Sequence, residues 1–231
     1  MDMPVPETYE AGLQYWPYRL SLAKVLEAIQ VTTLPGATVL DIMCGPGYLL
    51  GQLCKAYPSL RLTGVDIEEQ YIDFGRRRYP NVSFEVGDVC TWRSTDGFST
   101  VVCTGALHHV PYGNQGAAIH NISRMVKPGG VVIISDCYVD EYANETERRL
   151  AAAKLGDAYL RETIRAGAPP DVLAWTADIT KNDVCGEEFK PCLRDRVPLL
   201  GAAFKNIQTF RVWPEESGTG YGDYIHICGP C

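Results

Sequence analysis

The sequence has no apolar run that approaches the roughly 18 residues needed to cross a membrane, and no transmembrane helix is expected. Its start, Met1 to Glu7, has neither the basic region nor the apolar core of a secretory signal, which points to a cytoplasmic protein. Positive charge is scarce. Lysine and arginine number 21 against 28 aspartates and glutamates, a formal net charge of -7, with no basic stripe to neutralise a phosphate backbone. Nucleic acid is therefore not an expected partner, because that neutralisation supplies most non-specific affinity. No internal repeat or low-complexity tract breaks the chain.

A disulfide framework is missing as well. The nine cysteines are odd in number and scattered through strand-like and helix-like stretches, as at Cys54, Cys90, Cys103 and Cys137, which predicts reduced, buried thiols. Cys228-Gly229-Pro230-Cys231 has the spacing of a redox pair but no following helix whose N-terminus would lower a thiol pKa. Cys185, Cys192, Cys228 and Cys231 offer four thiolates as an alternative zinc set. The first pair is spaced more widely than a usual zinc knuckle, so no metal is assigned.

What is present is an alternation of short β-rich runs with amphipathic stretches, in a chain that is 46% hydrophobic and of a length usual for one domain, residues 1–231. After Pro17, Leu22, Val25, Leu26 and Ile29 recur at helical spacing, so residues 1–30 are read as a leading helix and lid. Thr38 to Ile42 is a strand, followed by a glycine turn and a helix with Leu49, Leu50, Leu53 and Tyr57 on one face. A second strand, Leu60 to Val65, ends at Asp66 and feeds a helix from Glu68 to Arg78 whose charge order suits the helix dipole. Val82 to Val86 is a third strand. Phe98 to Thr104 is a continuous apolar run, as expected of a central strand buried on both faces. Ile119, Ile122 and Met125 mark a helix closed by Lys127-Pro128-Gly129-Gly130, and Val131 to Ser135 is a fifth strand.

The alternation then stops until Ile207 to Trp213 and Asp223 to Cys228. The intervening stretch, 138–205, starts as a charged helix from Glu141 to Ala166, breaks at Pro169-Pro170, and carries Trp175, Cys185, Phe189 and Cys192 without clear period. Long insertions tend to be functional, so it is read as a substrate cap; cover for the sheet edge or a homodimer contact is the alternative. Arg148, Arg149, Arg161 and Arg165 read as the solvated face of its helix.

The strongest chemical signal is Val39 to Tyr48, a strand ending in Asp41 and a turn, Met43-Cys44-Gly45-Pro46-Gly47, that opens a helix. Gly45 and Gly47 let backbone approach a ligand, and free N–H groups at the helix start favour an anionic group. The full G-x-G-x-x-G spacing of a dinucleotide enzyme is absent. Acids recur at successive strand ends, Asp66 after strand two and Asp88 after strand three, along the carboxyl edge where open α/β sheets bind ligands. Asp66 is placed to accept ribose hydroxyls, and Asp88 an adenine amino hydrogen.

These pieces, with Gly64-Val65-Asp66, Gly87-Asp88-Val89, Cys103 to Val110 and Val126 to Gly130, resemble the class I S-adenosylmethionine-dependent methyltransferases in the family's order. The resemblance runs from about Thr38 to Ser135, and the last two strands continue it. It implies a Rossmann-like doubly wound α/β sheet of seven strands, mostly parallel with an antiparallel last strand, and helices on both faces. It also implies the cofactor's methionine moiety at Asp41, Met43, Cys44, Gly45 and Gly47, its ribose at Asp66, and its adenine near Ile67, Asp88 and Val89, with Thr104 at the end of strand four alongside. Where the family has glycine this sequence has Met43.

Transfer from a sulfonium is an in-line displacement that needs alignment and, for a hydroxyl or ammonium acceptor, a base. His108 and His109, after strand four, are the candidate bases, with a purely structural role as the alternative. Ring faces attract a sulfonium, and Tyr9, Tyr15, Trp16 and Tyr18 cluster before the core. Tyr15 is expected at the cofactor and Tyr18 at the substrate, unless the rings only pack the leading helix. Trp92 lies either near the adenine or in the core. No Asn/Asp-Pro-Pro-Tyr signature, paired acidic motif or set of three oxygen ligands is present, and Asp136 is a lone carboxylate. The expected substrate is a small molecule methylated on oxygen or nitrogen. A catalytically silent binding protein, which Met43 would explain, and a Rossmann-type oxidoreductase are the competing readings.

Overall fold

The computed structural model describes residues 5–186, 188–215 and 218–229. Its leading region is two helices, α1 (Pro6–Leu13) and α2 (Tyr18–Thr32), where one was expected. The doubly wound core follows as β1 (Thr38–Ile42), α3 (Tyr48–Ala56), β2 (Arg61–Asp66), α4 (Glu69–Arg78), β3 (Ser83–Val86), β4 (Phe98–Thr104), a 3-10 turn (Leu107–His109), α5 (Tyr112–Ser123) and β5 (Val126–Tyr138). Three helices, α6 (Glu145–Arg165), α7 (Pro170–Cys185) and α8 (Leu193–Ala203), precede β6 (Lys205–Trp213) and β7 (Gly222–Gly229). The sheet has seven strands in the order β3-β2-β1-β4-β5-β7-β6, parallel except that β7 runs antiparallel to both neighbours. Order reverses between β1 and β4, and that switch point opens the carboxyl edge to a ligand.

Successive residues of the central strands are buried on opposite faces. Leu40, Ile42 and Val101 join Ile119 and Ile122 of α5 on one side, while Val39, Val102 and Ile133 meet Leu22 and Val25 of α2 and Leu50 of α3 on the other. Strands buried on both faces read as near-continuous apolar runs, which is why these were readable as strands. Among the described residues, no helix is long and apolar enough to cross a membrane.

Lys127-Pro128-Gly129-Gly130 does not close a helix; α5 ends at Ser123, and the segment lies inside β5 at a register shift against β4. Gly129 takes φ +77°, and a Cβ on Gly130 would stand 2.6 Å from the Ser99 carbonyl, so the strand passes this bulge on glycine. The insertion is helical almost throughout. Asn144 caps α6 by accepting from Glu147 N at 3.0 Å, while the Glu147 carboxylate takes Ala143 N at 2.8 Å, which starts the helix after Glu141. The break expected at Pro169-Pro170 separates α6, which ends at Arg165, from α7, whose first residue is Pro170, where its missing N–H costs no bond.

Arg148 corrects the reading of a solvated arginine face. It is 1% exposed, donates to the Asp183 carboxylate at 3.1 Å and carbonyl at 2.9 Å, and lies 4.6 Å from the centre of the Phe189 ring. Arg149, Arg161 and Arg165 keep exposed side chains, in ion pairs along the helix. Removing one partner of a buried pair strands the other charge, so Arg148→Ala is expected to cost about 3–5 kcal/mol, read as a lowered urea midpoint. Arg161→Ala is expected to stay within about 0.5 kcal/mol.

Candidate active site

The turn after β1 is built on left-handed backbone. Met43 has φ +62° and Gly45 φ +54°, and at Gly45 a Cβ would meet no atom within 4 Å, so its backbone is open to a ligand. Met43 thus adopts the conformation that a glycine would supply, with its side chain packed against the α5 side of the core. Gly45 N donates to Asp66 Oδ2 at 2.7 Å and Glu68 N to Asp66 Oδ1 at 2.9 Å, tying the turn to the end of β2. Asp41, 1% exposed, has an Oδ1 with no hydrogen-bond donor among the described residues. Burial raises the pKa of both acids, and the Asp66 charge raises that of Asp41 further.

Around this turn lies an outer cleft with a cavity volume of about 440 Å³. Asp41, Met43, Cys44, Gly45, Asp66, Ile67, Asp88, Val89, Thr104, Tyr18 and His109 all line it. Three expected neighbours do not. Gly47 faces the Phe84 ring, 2.6 Å from where its Cβ would stand, and serves packing. Tyr15 packs in the core on the α2 side, because the break between α1 and α2 resets the helical phase; Tyr9 of α1 lines the cleft instead. Trp92 packs beside Phe98 and donates to Glu85.

An inner chamber of about 110 Å³ adjoins the cleft. Tyr9, Tyr18, Gly105 and His109 line both cavities. Gly105 has φ +59° and a Cβ there would stand 2.9 Å from the Tyr18 ring, whose hydroxyl donates to Thr104 Oγ1 at 2.6 Å. Tyr18 therefore seals against the end of β4 at the junction. Helices α6 and α7 supply most of the chamber roof, through Leu155, Tyr159, Trp175 and Thr176.

Polar residues in the chamber are almost all paired. His108 Nδ1 is 2.6 Å from Asp136 Oδ1, and Arg196 donates to Asp136 Oδ2 at 3.4 Å. Burial works against a charged His108, but Cys137 and the Asp136 carboxylate outweigh it and hold its pKa well above the ordinary value. Asp136 stays below the usual carboxylate range in return, burial notwithstanding. His109, with 31% of its side chain open, is pushed down to about 3 by burial and by its protonated neighbour. Its Nδ1 lies 3.5 Å from Glu188 Oε1, too poorly aligned for a hydrogen bond, and among the described residues neither atom has a hydrogen-bond partner. Glu188 is held at about 2: burial opposes ionisation, but Lys190 at 2.6 Å and the histidines prevail. Sequence reasoning misses Glu188 and Lys190, which lie in the aperiodic stretch after α7 where no spacing marks them; Tyr9 belongs to the aromatic cluster that the sequence does show.

His108, His109 and Glu188 place ligand atoms within 4.8 Å of one another. Lys190 and protonated His108 already bring the countercharge that a divalent ion would supply, so the cluster does not fit a metal. Of the four cysteines weighed for zinc, Cys185 is exposed, Cys192 and Cys228 are buried in separate clusters, and Cys231 lies outside the described residues. The Cys228–Cys231 redox spacing falls partly outside them as well.

A family profile described as a methyltransferase domain matches residues 39–130. The chain is 27% identical over 197 residues to a ubiquinone biosynthesis O-methyltransferase of Xanthomonas oryzae, covering 78% of each chain. It is 36% identical over 107 residues to an uncharacterised 37.1 kDa protein in transposon TN4556 of Streptomyces fradiae, spanning 44% of this chain and 30% of that one. In fold it is similar to phosphoethanolamine N-methyltransferase 2 of Haemonchus contortus in complex with S-adenosyl-L-methionine, with TM-score 0.62 and 14% identity, over 90% of this chain and 53% of the other. With the seven-stranded topology and the Gly45–Asp66 edge already described, these matches mark residues 39–130 as a methyltransferase domain and are consistent with a class I S-adenosylmethionine-dependent methyltransferase.

Proposed function

We propose that the chain transfers the S-adenosylmethionine methyl group to an oxygen or nitrogen of a small-molecule metabolite held in the inner chamber. The observation that carries this reading is the pair of cavities meeting at Tyr18, Gly105 and His109. The smaller one has no room for a polymer. The relatives' names span both acceptor atoms, an O-methyltransferase and a phosphoethanolamine N-methyltransferase.

The cleft residues fit this cofactor. The donor-less Asp41 Oδ1 suits its α-ammonium group, and the open backbone of Gly45 its methionine chain. Asp66 takes the ribose hydroxyls, and Ile67, Asp88 and Val89 surround the adenine. When bound, S-adenosylmethionine supplies an electrophilic methyl carbon with a neutral thioether as leaving group. Residues 138–205 act as the cap and the α1–α2 region as the lid; together they exclude water and hold the acceptor atom about 3–3.5 Å from that carbon.

His109 accepts a hydrogen bond from the acceptor and takes its proton only as the new bond to the methyl carbon makes that proton strongly acidic, because at a pKa of about 3 it does not deprotonate a resting hydroxyl or ammonium. It faces both cavities and is unprotonated, and Glu188 orients its ring and stabilises the charge it gains, the role a carboxylate plays behind a catalytic histidine. His108 is protonated and paired to Asp136, so it has no basic nitrogen to offer.

Calorimetric titration tests the cofactor half. Asp66→Ala is expected to weaken S-adenosylhomocysteine by about 100-fold, the loss of charge-assisted bonds to two hydroxyls. Failure of the unaltered protein to bind either sulfur compound would overturn the reading. Steady-state kinetics tests the base: His109→Ala is expected to lower kcat by about 10²–10³-fold with little change in the KM for cofactor. A histidine is a base only above its pKa. With His109 at about 3, kcat should show no histidine limb between about pH 5 and 8. His108→Asn removes the positive neighbour but leaves burial, the larger cause, so the His109 pKa rises from about 3 and its acid limb moves to higher pH, read by extending the kcat profile down to about pH 4. An unchanged profile in that variant would remove His109 from the mechanism.

A further inference from the structure

We propose that the molecule held in the inner chamber is a small amine bound as its ammonium ion, and that Asp223 is the residue that recognises it. This rests on the methyl-transfer reading and narrows its substrate class: the bound ammonium gives one proton to the Asp223 carboxylate, the freed nitrogen lone pair takes the methyl group, and S-adenosylhomocysteine leaves with the electrons of the broken S–C bond. Four acids line the chamber, Asp136, Asp183, Glu188 and Asp223, against two cations, His108 and Lys190. Arg196 and Arg148, outside the chamber lining, complete the pairing of the first two acids: Asp136 has His108 at 2.6 Å and Arg196 at 3.4 Å, and Asp183 has Arg148 at 3.1 Å. Glu188 has Lys190 at 2.6 Å.

Asp223 alone among these four has no cation beside it in the described residues. It is 2% exposed and its carboxylate is met only by neutral donors, the Tyr159 hydroxyl at 2.7 and 2.8 Å and the Ser21 hydroxyl at 3.2 Å. A carboxylate buried without a counter-ion is costly unless a cation is brought to it. Burial accordingly raises its pKa to about 7, poised between the neutral acid and the anion.

The rest of the wall suits the same guest. Trp16 and Trp175 sit with ring centres 4.6 Å apart, and with Tyr18 and Tyr159 they border the chamber that Asp223 faces. Aromatic faces attract an ammonium ion and offer nothing to an anion. A carboxylate or phosphate ligand would instead meet the unpaired charge of Asp223, and a neutral alcohol would leave it uncompensated.

The test is calorimetric, at about pH 8, above the Asp223 value of about 7, on the full chain saturated with S-adenosylhomocysteine. The probes are an isosteric set: 2-phenylethylamine, 2-phenylethanol and phenylacetate. The amine is expected to bind at least about tenfold more tightly than the alcohol, and the acid not at all. In Asp223→Asn the amine's advantage should fall by about tenfold or more while S-adenosylhomocysteine binds as before. Equal binding of amine and alcohol, tighter binding of the acid, no binding by any of the three, or an unaltered amine preference in the variant would each overturn the proposal. If Asp223→Asn does not fold, the comparison of the three probes on the unaltered protein decides alone. S-adenosylhomocysteine is titrated first, and its failure to bind would count against the methyl-transfer reading, separately from the amine preference.

Discussion

The chemistry of the chamber depends on one buried carboxylate, Asp136, at the carboxyl end of β5. It receives the Cys137 N–H at 3.1 Å, Arg196 of α8 at 3.4 Å and His108 at 2.6 Å, and its side chain has no exposed surface. In an apolar surrounding Asp136 or His108 alone would shed its charge, whereas a guanidinium such as that of Arg196 keeps its own. Together the three stay charged. Asp136 therefore joins the end of the sheet to α8 and to the turn after β4, and it makes His108 a cation. That cation depresses His109 one residue later, so the two adjacent histidines are held in opposite states and only one has a free basic nitrogen.

The two cavities are made by different means. The cleft is a product of backbone: left-handed turns at Met43 and Gly45, strand ends at Asp41 and Asp66, and amides that fix the Asp66 carboxylate. Met43 takes left-handed backbone in this turn although it carries a side chain. The chamber is a product of side chains carried on the insertion. Arg148, Asp183, Glu188 and Lys190 are all buried there. Buried ion pairs add little net stability over apolar packing. Their presence beneath α6 and α7 is better explained by what they select than by what they hold together.

The same division decides how much was readable from the chain. The sheet was readable because doubly buried strands and glycine turns leave local signatures, and so were most cleft residues, which follow strand ends at fixed offsets. The chamber was not. Arg148 has the helical spacing of a surface residue, and only Asp183, 35 positions later, makes it interior. Glu188 and Lys190 lie in a connection with no period at all. Asp223 opens a strand and looks like a turn residue until Ser21, 202 positions away, and Tyr159 are seen to converge on it. Tyr15 and Tyr18 both pack half-buried against the core on the α2 side, but only Tyr18, beyond the interruption at Gln14 to Pro17, reaches the junction of the cavities.

Acids at the two ends of the site are prepared in opposite ways. Asp136 and Glu188 are ionised because cations sit against them, so they can orient and stabilise but have no charge left for a ligand. Asp41, Asp66 and Asp223 are raised because burial is met only by neutral donors or by none. A carboxylate in that condition gains most from a cation delivered by a ligand, since the ligand replaces both the missing countercharge and the lost hydration. In the cleft that cation comes with a sulfonium cofactor that also carries an α-ammonium group. If the same rule governs Asp223, the cofactor and its acceptor are drawn to this site by one electrostatic principle, applied once at the backbone turn after β1 and once at the start of β7.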